Sequence, residues 1–312
     1  MPDLHCWIIN EGHAGMENQC IGLAQALGVT YDIRRVKPRL PWRLLPPRWW
    51  PNPLAALDRP ATPPWPDLVI SCGRRSVAAA MAVRRASGAR AIHIQDPHVP
   101  PSRFDVIIVP EHDALRAPNV IVTRGAMHHV TPEKLAQAGA HFAPRFTHLP
   151  RPLISVMVGG SNRRQDYTDA IATDLARKLA EAARASGGSI ALTPSRRTDP
   201  RTVALLAEGL RDTPRYLWNR EGENPYFGLL ALADAIVVTS DSVSMMTEAC
   251  ITGKPVYLHL IPGGSNRLRR FREGLLSGGY ARLFTGELPA WQPNILHETA
   301  DVAADIRRRL GF

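Results

Sequence analysis

Cysteine is scarce: the 312 residues hold Cys6, Cys20, Cys72 and Cys250 and no others. No two form a Cys-x-x-Cys pair, and none stands at zinc-finger spacing from a histidine, so neither a disulfide framework nor a structural zinc module is supported. Cys6, Cys72 and Cys250 fall in apolar runs and read as small core residues, as expected in a reducing compartment. Long apolar stretches are also lacking. Nothing approaches the ~20 residues of a spanning helix, and Cys6–Ile9 is too short for a signal peptide. The expected location is cytoplasmic, with peripheral attachment to the inner face of the cytoplasmic membrane left open. Three motifs are absent: Gly-x-Gly-x-x-Gly, the Lys-Ser/Thr end of a P-loop, and Asp-x-Asp. Their absence argues against a dinucleotide fingerprint, a P-loop NTPase and the metal-binding signature of one major glycosyltransferase fold. No cofactor and no metal ligand set is expected.

What the chain does contain is charge of one sign. Lys plus Arg number 38 against 28 Asp plus Glu, a net +10, and arginine heavily outnumbers lysine. Such a balance suits an anionic partner and equally suits an arginine-rich proteome. The arginines are dispersed and no recognition motif accompanies them, so nucleic acid is not expected. With 45% hydrophobic and 21% charged residues, the chain is not disordered.

Short β-branched runs alternate with helical patterns from Leu4 to Leu260, which predicts an α/β class with mainly parallel sheets. The Pro-rich run His141–Pro152 reads as a linker, giving domains 1–150 and 151–312, each Rossmann-like, with a cleft between their carboxyl edges. The segment 37–66 breaks the alternation. Its prolines are interleaved with Arg39, Arg43, Arg48, Trp42, Trp49, Trp50, Leu44 and Leu45. Peripheral docking on an anionic bilayer through 39–54 and a proline-rich excursion packed on the domain are both open.

The clearest stretch is Ala235–Leu260, which reads strand, polar loop, helix, turn, strand. Ligands of open α/β sheets bind beyond the carboxyl ends of strands, where helix N-termini point at them. Asp241, Ser242 and Ser244 sit there, and Asp241 or Ser242 is suited to cap the helix. Glu248, less than two turns on, is placed to accept from a ribose diol. A well-capped crossover with an exposed Glu fits the same spacing. Gly159, Gly160, Ser161, Asn162, Arg163 and Arg164 follow a strand and converge N–H groups and positive charge as a phosphate site would. Ser195, Arg196 and Arg197 form a second basic loop at that edge. In the first half, His13, Asp96, His98, Glu111 and His112 all follow predicted strands. His13, Asp96 and Glu111 are the candidate general bases, with a plain loop histidine the alternative for His13.

The segments INEGHAGMENQCIGLAQAL, IQDPHVP, FDVIIVPEHD, VMVGGSN, TPSRRT and NPYFGLLALADAIVVTSDSVSMMTEACITGKPVY together resemble the mitochondrial fission Elm-type family over nearly the whole chain. The layout is similar to the GT-B fold of nucleotide-sugar glycosyltransferases and 2-epimerases. That resemblance implies a C-terminal domain holding the nucleotide, with Glu248 on the ribose and Gly159–Arg164 on the phosphates. It implies an N-terminal domain receiving the acceptor, with His13 the matching loop histidine, and a last helix packing back on that domain. The expected activity is a metal-independent glycosyltransferase using a nucleotide-sugar donor, with a lipid-linked or envelope glycan as acceptor. The resemblance equally admits a non-catalytic adaptor that binds a protein partner at a membrane surface, as it implies for plant members. A Rossmann-type epimerase is not supported, because its Tyr-x-x-x-Lys pair is missing as well.

Overall fold

The structure is a computed structural model that describes residues 4–38, 40, 44–111, 113–162 and 164–312. Arg39, Trp42, Arg43, His112 and Arg163, singled out above, lie outside the described residues. The chain forms two compact units, one running to His129 and resuming at His297–Phe312, the other Val130–Leu296.

The first unit is built on strands β1 (His5–Asn10), β2 (Thr30–Arg35), β3 (Leu68–Cys72), β4 (Arg90–Ile94), β5 (Val106–Pro110) and β6 (Val120–Thr123). They form one parallel sheet in the order β2-β1-β3-β4-β5-β6. Alternate residues serve opposite faces, as strand geometry requires. Cys6 and Ile8 join one buried cluster with Leu23 of helix α1 (Ala14–Leu27), while Trp7 and Ile9 join another with Val83 of α2 (Ser76–Ser87). Both faces are covered, which is why the strands read as continuous apolar runs.

The second unit repeats the scheme with β7 (Leu153–Val158), β8 (Ser189–Pro194), β9 (Arg215–Leu217), β10 (Ala235–Thr239), β11 (Val256–His259) and β12 (Arg282–Leu283). Its parallel order is β12-β11-β10-β7-β8-β9. Helices α3 (Pro132–Phe146), α4 (Asp169–Ser186), α5 (Pro200–Gly209), α6 (Tyr226–Leu232), α7 (Val243–Cys250) and α8 (Asn266–Ser277) belong to this unit. Again β7 splits its side chains, with Leu153 and Met157 in one core and Ile154, Val156 and Val158 in the other.

The expected linker is not where the prolines suggested. Residues His141–Phe146 are the last turns of α3, and Phe142 and Phe146 are buried with Leu229 and Leu230 of α6. Pro144 sits inside that helix, and burial of two phenylalanines offsets the hydrogen bond it removes. The division therefore falls at 129/130 rather than near 150. Helix α9 (Glu298–Leu310) belongs to the first unit, where Val302, Ala303 and Ile306 enter the core beside α1. Its Thr299 Oγ1 accepts from His128 N at 3.1 Å, and Arg307 donates to Ala26 O at 2.6 Å.

Gly22 illustrates how tightly α1 is held. A Cβ there would lie 2.1 Å from the carbonyl oxygen of His128. Alanine in a helix interior normally gains about 1 kcal/mol over glycine. A clash with backbone costs more, so Gly22→Ala is expected to destabilise the first unit by about 2–3 kcal/mol. Thermal unfolding checks this, and a raised Tm would contradict it.

Candidate functional site

All six strands of the second sheet run parallel, so the loops after β7, β8, β10 and β11 gather at one carboxyl edge. The centre of that edge is Asp241. Its side chain is fully buried and pairs with Arg197 Nη2 at 2.8 Å. It also accepts from Gly160 N at 3.1 Å and from the Thr239 hydroxyl at 2.7 Å. Gly159 N donates to Thr239 Oγ1 at 2.7 Å, and Arg197 Nη1 donates to Gly160 O at 3.1 Å. Asp241 is thus a clamp between three loops. The helix cap falls to Ser242, whose hydroxyl accepts from Met245 N at 3.4 Å.

The clamp also explains the two glycines. A Cβ on Gly159 would lie 2.1 Å from both Asp241 carboxylate oxygens, and one on Gly160 would lie 2.1 Å from Arg197 O. Close approach within the protein requires both positions to be glycine, independently of any phosphate. Ser161 accepts from Tyr167 N at 2.9 Å, and Asn162 Oδ1 accepts from Arg164 N at 3.0 Å, so both side chains close their own loop. Ser195 Oγ accepts from Arg197 N at 3.2 Å. Arg196 is exposed, without an ion-pair partner among the described residues. Ser244 is half-buried in the first turn of α7.

Sequence reasoning missed the neighbouring loop. The tetrapeptide Gly-Gly-Ser-Asn occurs twice, at 159–162 and 263–266, and this repeat was the available signal. The two copies meet: Gly264 N donates to Arg164 O at 3.0 Å, and Gln165 Nε2 donates to Ile261 O at 3.2 Å. Gly263 and Gly264 have φ of 82° and 95°, a region glycine alone enters without strain. Ser265 caps α8, its hydroxyl accepting from Leu268 N at 3.2 Å. Arg272 of α8 donates to Ser240 Oγ at 3.2 Å and to Ile261 O at 3.1 Å. The starts of α7 and α8 therefore bring N–H groups to the same carboxyl edge as the loop that carries Arg196, an arrangement suited to anions.

Glu248 is neither solvent-exposed nor unpartnered. It is 6% exposed and accepts from Tyr226 Oη of α6 at 2.5 Å. Burial raises its pKa to about 7, while the Tyr226 hydrogen bond and the Lys134 charge pull it back down. Lys134, on α3, is lowered by the same burial, with Glu248 opposing.

In the first unit, His13, Asp96 and Glu111 do lie at one carboxyl edge, after β1, β4 and β5. Asp96 and Glu111 follow neighbouring strands, and His13 stands apart from them. With strands about 4.8 Å apart, the ends of β1 and β5 are about 14 Å apart, because β3 and β4 intervene. His13 is the exposed N-cap position of α1 and makes no side-chain cap bond. Asp96 Oδ1 accepts from His98 N at 2.8 Å, and Oδ2 lies 3.4 Å from His98 Nδ1. Glu111 is exposed. Among the described residues, no group of three or more His, Cys, Asp or Glu is gathered as a metal site, and no helix is long and apolar enough to cross a membrane.

Two all-parallel α/β units of this kind define the architecture shared with GT-B-type proteins. UDP-GlcNAc 2-epimerase from Methanocaldococcus jannaschii, solved with UDP-GlcNAc and UDP, matches at a TM-score of 0.57 and 13% identity, over 99% of this chain and 100% of that one. MurG from Acinetobacter baumannii matches at 0.50 and 14%, over 98% and 91%. The sequence model described as mitochondrial fission ELM1 matches residues 14–310, and the chain belongs to that family. The mitochondrial fission protein ELM1 of Arabidopsis thaliana is 33% identical over 277 residues, 78% of this chain. The chain spans 64% of that relative's length.

Proposed function

We propose that the chain is a GT-B-type glycosyltransferase whose nucleotide-sugar donor binds at the carboxyl edge of the second sheet. The observation that carries this is the meeting of the two Gly-Gly-Ser-Asn loops around the Thr239–Ser242 loop, with the starts of α7 and α8 beside them. A diphosphate needs N–H donors and positive charge. The helix starts and Arg196 supply both, so the scheme calls for no metal. Glu248 lies on α7, where Tyr226 holds Oε2, and we assign its other oxygen to a ribose hydroxyl. The bound UDP-GlcNAc and UDP of the archaeal epimerase support the ligand class.

The chemistry follows directly. A base removes the proton of an acceptor hydroxyl, the oxygen attacks the anomeric carbon, and the nucleoside diphosphate leaves. His13, Asp96 and Glu111 are the candidate bases. The acceptor we assign is a lipid-linked or envelope glycan, at the inner face of the cytoplasmic membrane. Replacing His13 and Asp96 together with alanine is expected to lower turnover by roughly 10²–10⁴-fold, the usual contribution of a general base, while nucleotide binding persists. Product assays with matched donor and membrane extract check this. Full turnover in the double variant would remove both residues from the mechanism.

A further inference from the structure

The first unit contains a cavity of 680 Å³ between the proline-rich segment and α2. One wall, from the proline-rich segment, is apolar, with Trp50 and several prolines. The other is cationic, with Arg74 and Arg75 at the start of α2, Arg85 near its end, and His98 at the lip. Met81 and Arg85, four residues apart, share one face of α2, and Arg75 is its N-cap. Among the described residues, none that lines the cavity is acidic.

The three guanidinium groups lack ion pairs among the described residues, although Glu11 accepts from Arg75 N at 3.2 Å. Arg35, Arg84, Arg151, Arg177 and Arg201 each have a carboxylate within ion-pair distance. Arg74, Arg75 and Arg85 have none among the described residues. Three guanidinium groups around one cavity repel each other, and an anion relieves that repulsion. Phosphate suits the planar fork of arginine. Asp96 holds His98 at the lip through its backbone N–H. His98 has a φ of 54°, outside the usual range for a residue with a side chain.

A second observation selects the kind of phosphate. Leu44, Leu40 and Trp49 are 77%, 71% and 60% exposed, more than any other large apolar side chain among the described residues. All three come from the segment that forms the apolar wall. Exposed leucine and tryptophan beside a cationic cavity suit a membrane interface rather than a soluble ester.

We propose that this cavity binds the phosphate of an anionic lipid, with Leu40, Leu44 and Trp49 entering the bilayer interface. The inference stands on the cavity and does not require the donor site.

The test is flotation of the full chain with vesicles of phosphatidylcholine, alone or mixed with phosphatidylglycerol, and titration with soluble glycerol phosphate. The chain is expected to float with the mixed vesicles and not with phosphatidylcholine. At about fivefold per arginine, the variant Arg74→Ala/Arg75→Ala/Arg85→Ala is expected to bind about a hundredfold more weakly. Leu40→Ser/Leu44→Ser is expected to weaken vesicle binding and leave the Tm unchanged. A control, Arg59→Ala/Arg145→Ala/Arg184→Ala, removes the same charge away from the cavity and is expected to retain most of the binding. Equal losses in the two triple variants would reduce the effect to net charge and overturn the site. Binding of glycerol phosphate without vesicle binding would overturn the lipid assignment, as would equal flotation with pure phosphatidylcholine.

Discussion

Asp241→Ala is expected to destabilise the second unit by about 3–4 kcal/mol, a fall in Tm of roughly 6–16 °C for a unit of this size. The carboxylate is fully buried and serves Gly160 N, the Thr239 hydroxyl and Arg197. Arg197 is 42% exposed and can turn to water when its partner is removed. Gly160 N–H and the Thr239 hydroxyl cannot, and each buried donor left without an acceptor costs about 1–3 kcal/mol. The buried donors therefore dominate and the surface half of the ion pair contributes little. Asp241→Asn keeps the shape and one acceptor, so its cost is expected to be about half as large. A double variant isolates the clamp. Gly159→Ala puts a methyl 2.1 Å from the Asp241 oxygens and is expected to be severe alone. In the Asp241→Ala background it is expected to be milder by about 1–3 kcal/mol. Additive effects would mean that Gly159 answers to something other than Asp241.

Glu248→Gln is expected to act in the opposite direction on stability. The folded carboxyl titrates at about 7 against an ordinary 4.5, because burial disfavours its charge. Below about pH 4.5 both states carry the proton and the group has no effect. Between 4.5 and 7 the unfolded chain releases the proton while the folded chain keeps it, so stability falls as pH rises. Above 7 the full cost is present, on the order of 3 kcal/mol. Glutamine retains an acceptor for Tyr226 and carries no charge. The variant is therefore expected to be more stable than wild type at pH 8 by about 2–3 kcal/mol, and the two are expected to converge near pH 4.5. Unfolding curves at pH 4.5, 6 and 8 check this. A wild type whose stability is flat over that range relative to the variant would contradict it.

Much of the fold was legible because strands buried on both faces carry mostly apolar side chains. Val237 and Val238 or Ile107 and Ile108 cannot serve as exposed strand or loop. The end of α3 was not legible, since Pro144 argues locally for a break and the compensation comes from Leu229 and Leu230, more than 80 residues on. The site was legible as a set of loops at one edge and illegible as a set of contacts. Asp241 looked like a helix cap because the sequence shows Val243 nearby and conceals Arg197, 44 residues earlier. Gly159 and Gly160 looked like a phosphate cradle, while in the folded chain a carboxylate and a backbone carbonyl occupy the space a Cβ would need. Glu248 looked exposed because nothing local reveals Tyr226 above it. The second Gly-Gly-Ser-Asn was visible in the sequence and its meaning was not, because only the strand order brings 263–266 against 159–165.

The most direct measurement is a calorimetric titration of UDP, GDP, CMP, ADP and their sugars into wild type and Glu248→Gln at pH 8. This variant matters because it is expected to be the more stable protein, so lost binding cannot be ascribed to unfolding. The donor reading predicts that one nucleotide binds wild type and stabilises it by about 2.7 kcal/mol at a hundred times its Kd. The same nucleotide should bind Glu248→Gln roughly tenfold or more weakly, the loss of a charge-assisted hydrogen bond. No binding of any nucleotide at millimolar concentration would contradict the donor site and leave the adaptor reading in its place, and equal binding to both proteins would remove Glu248 from it.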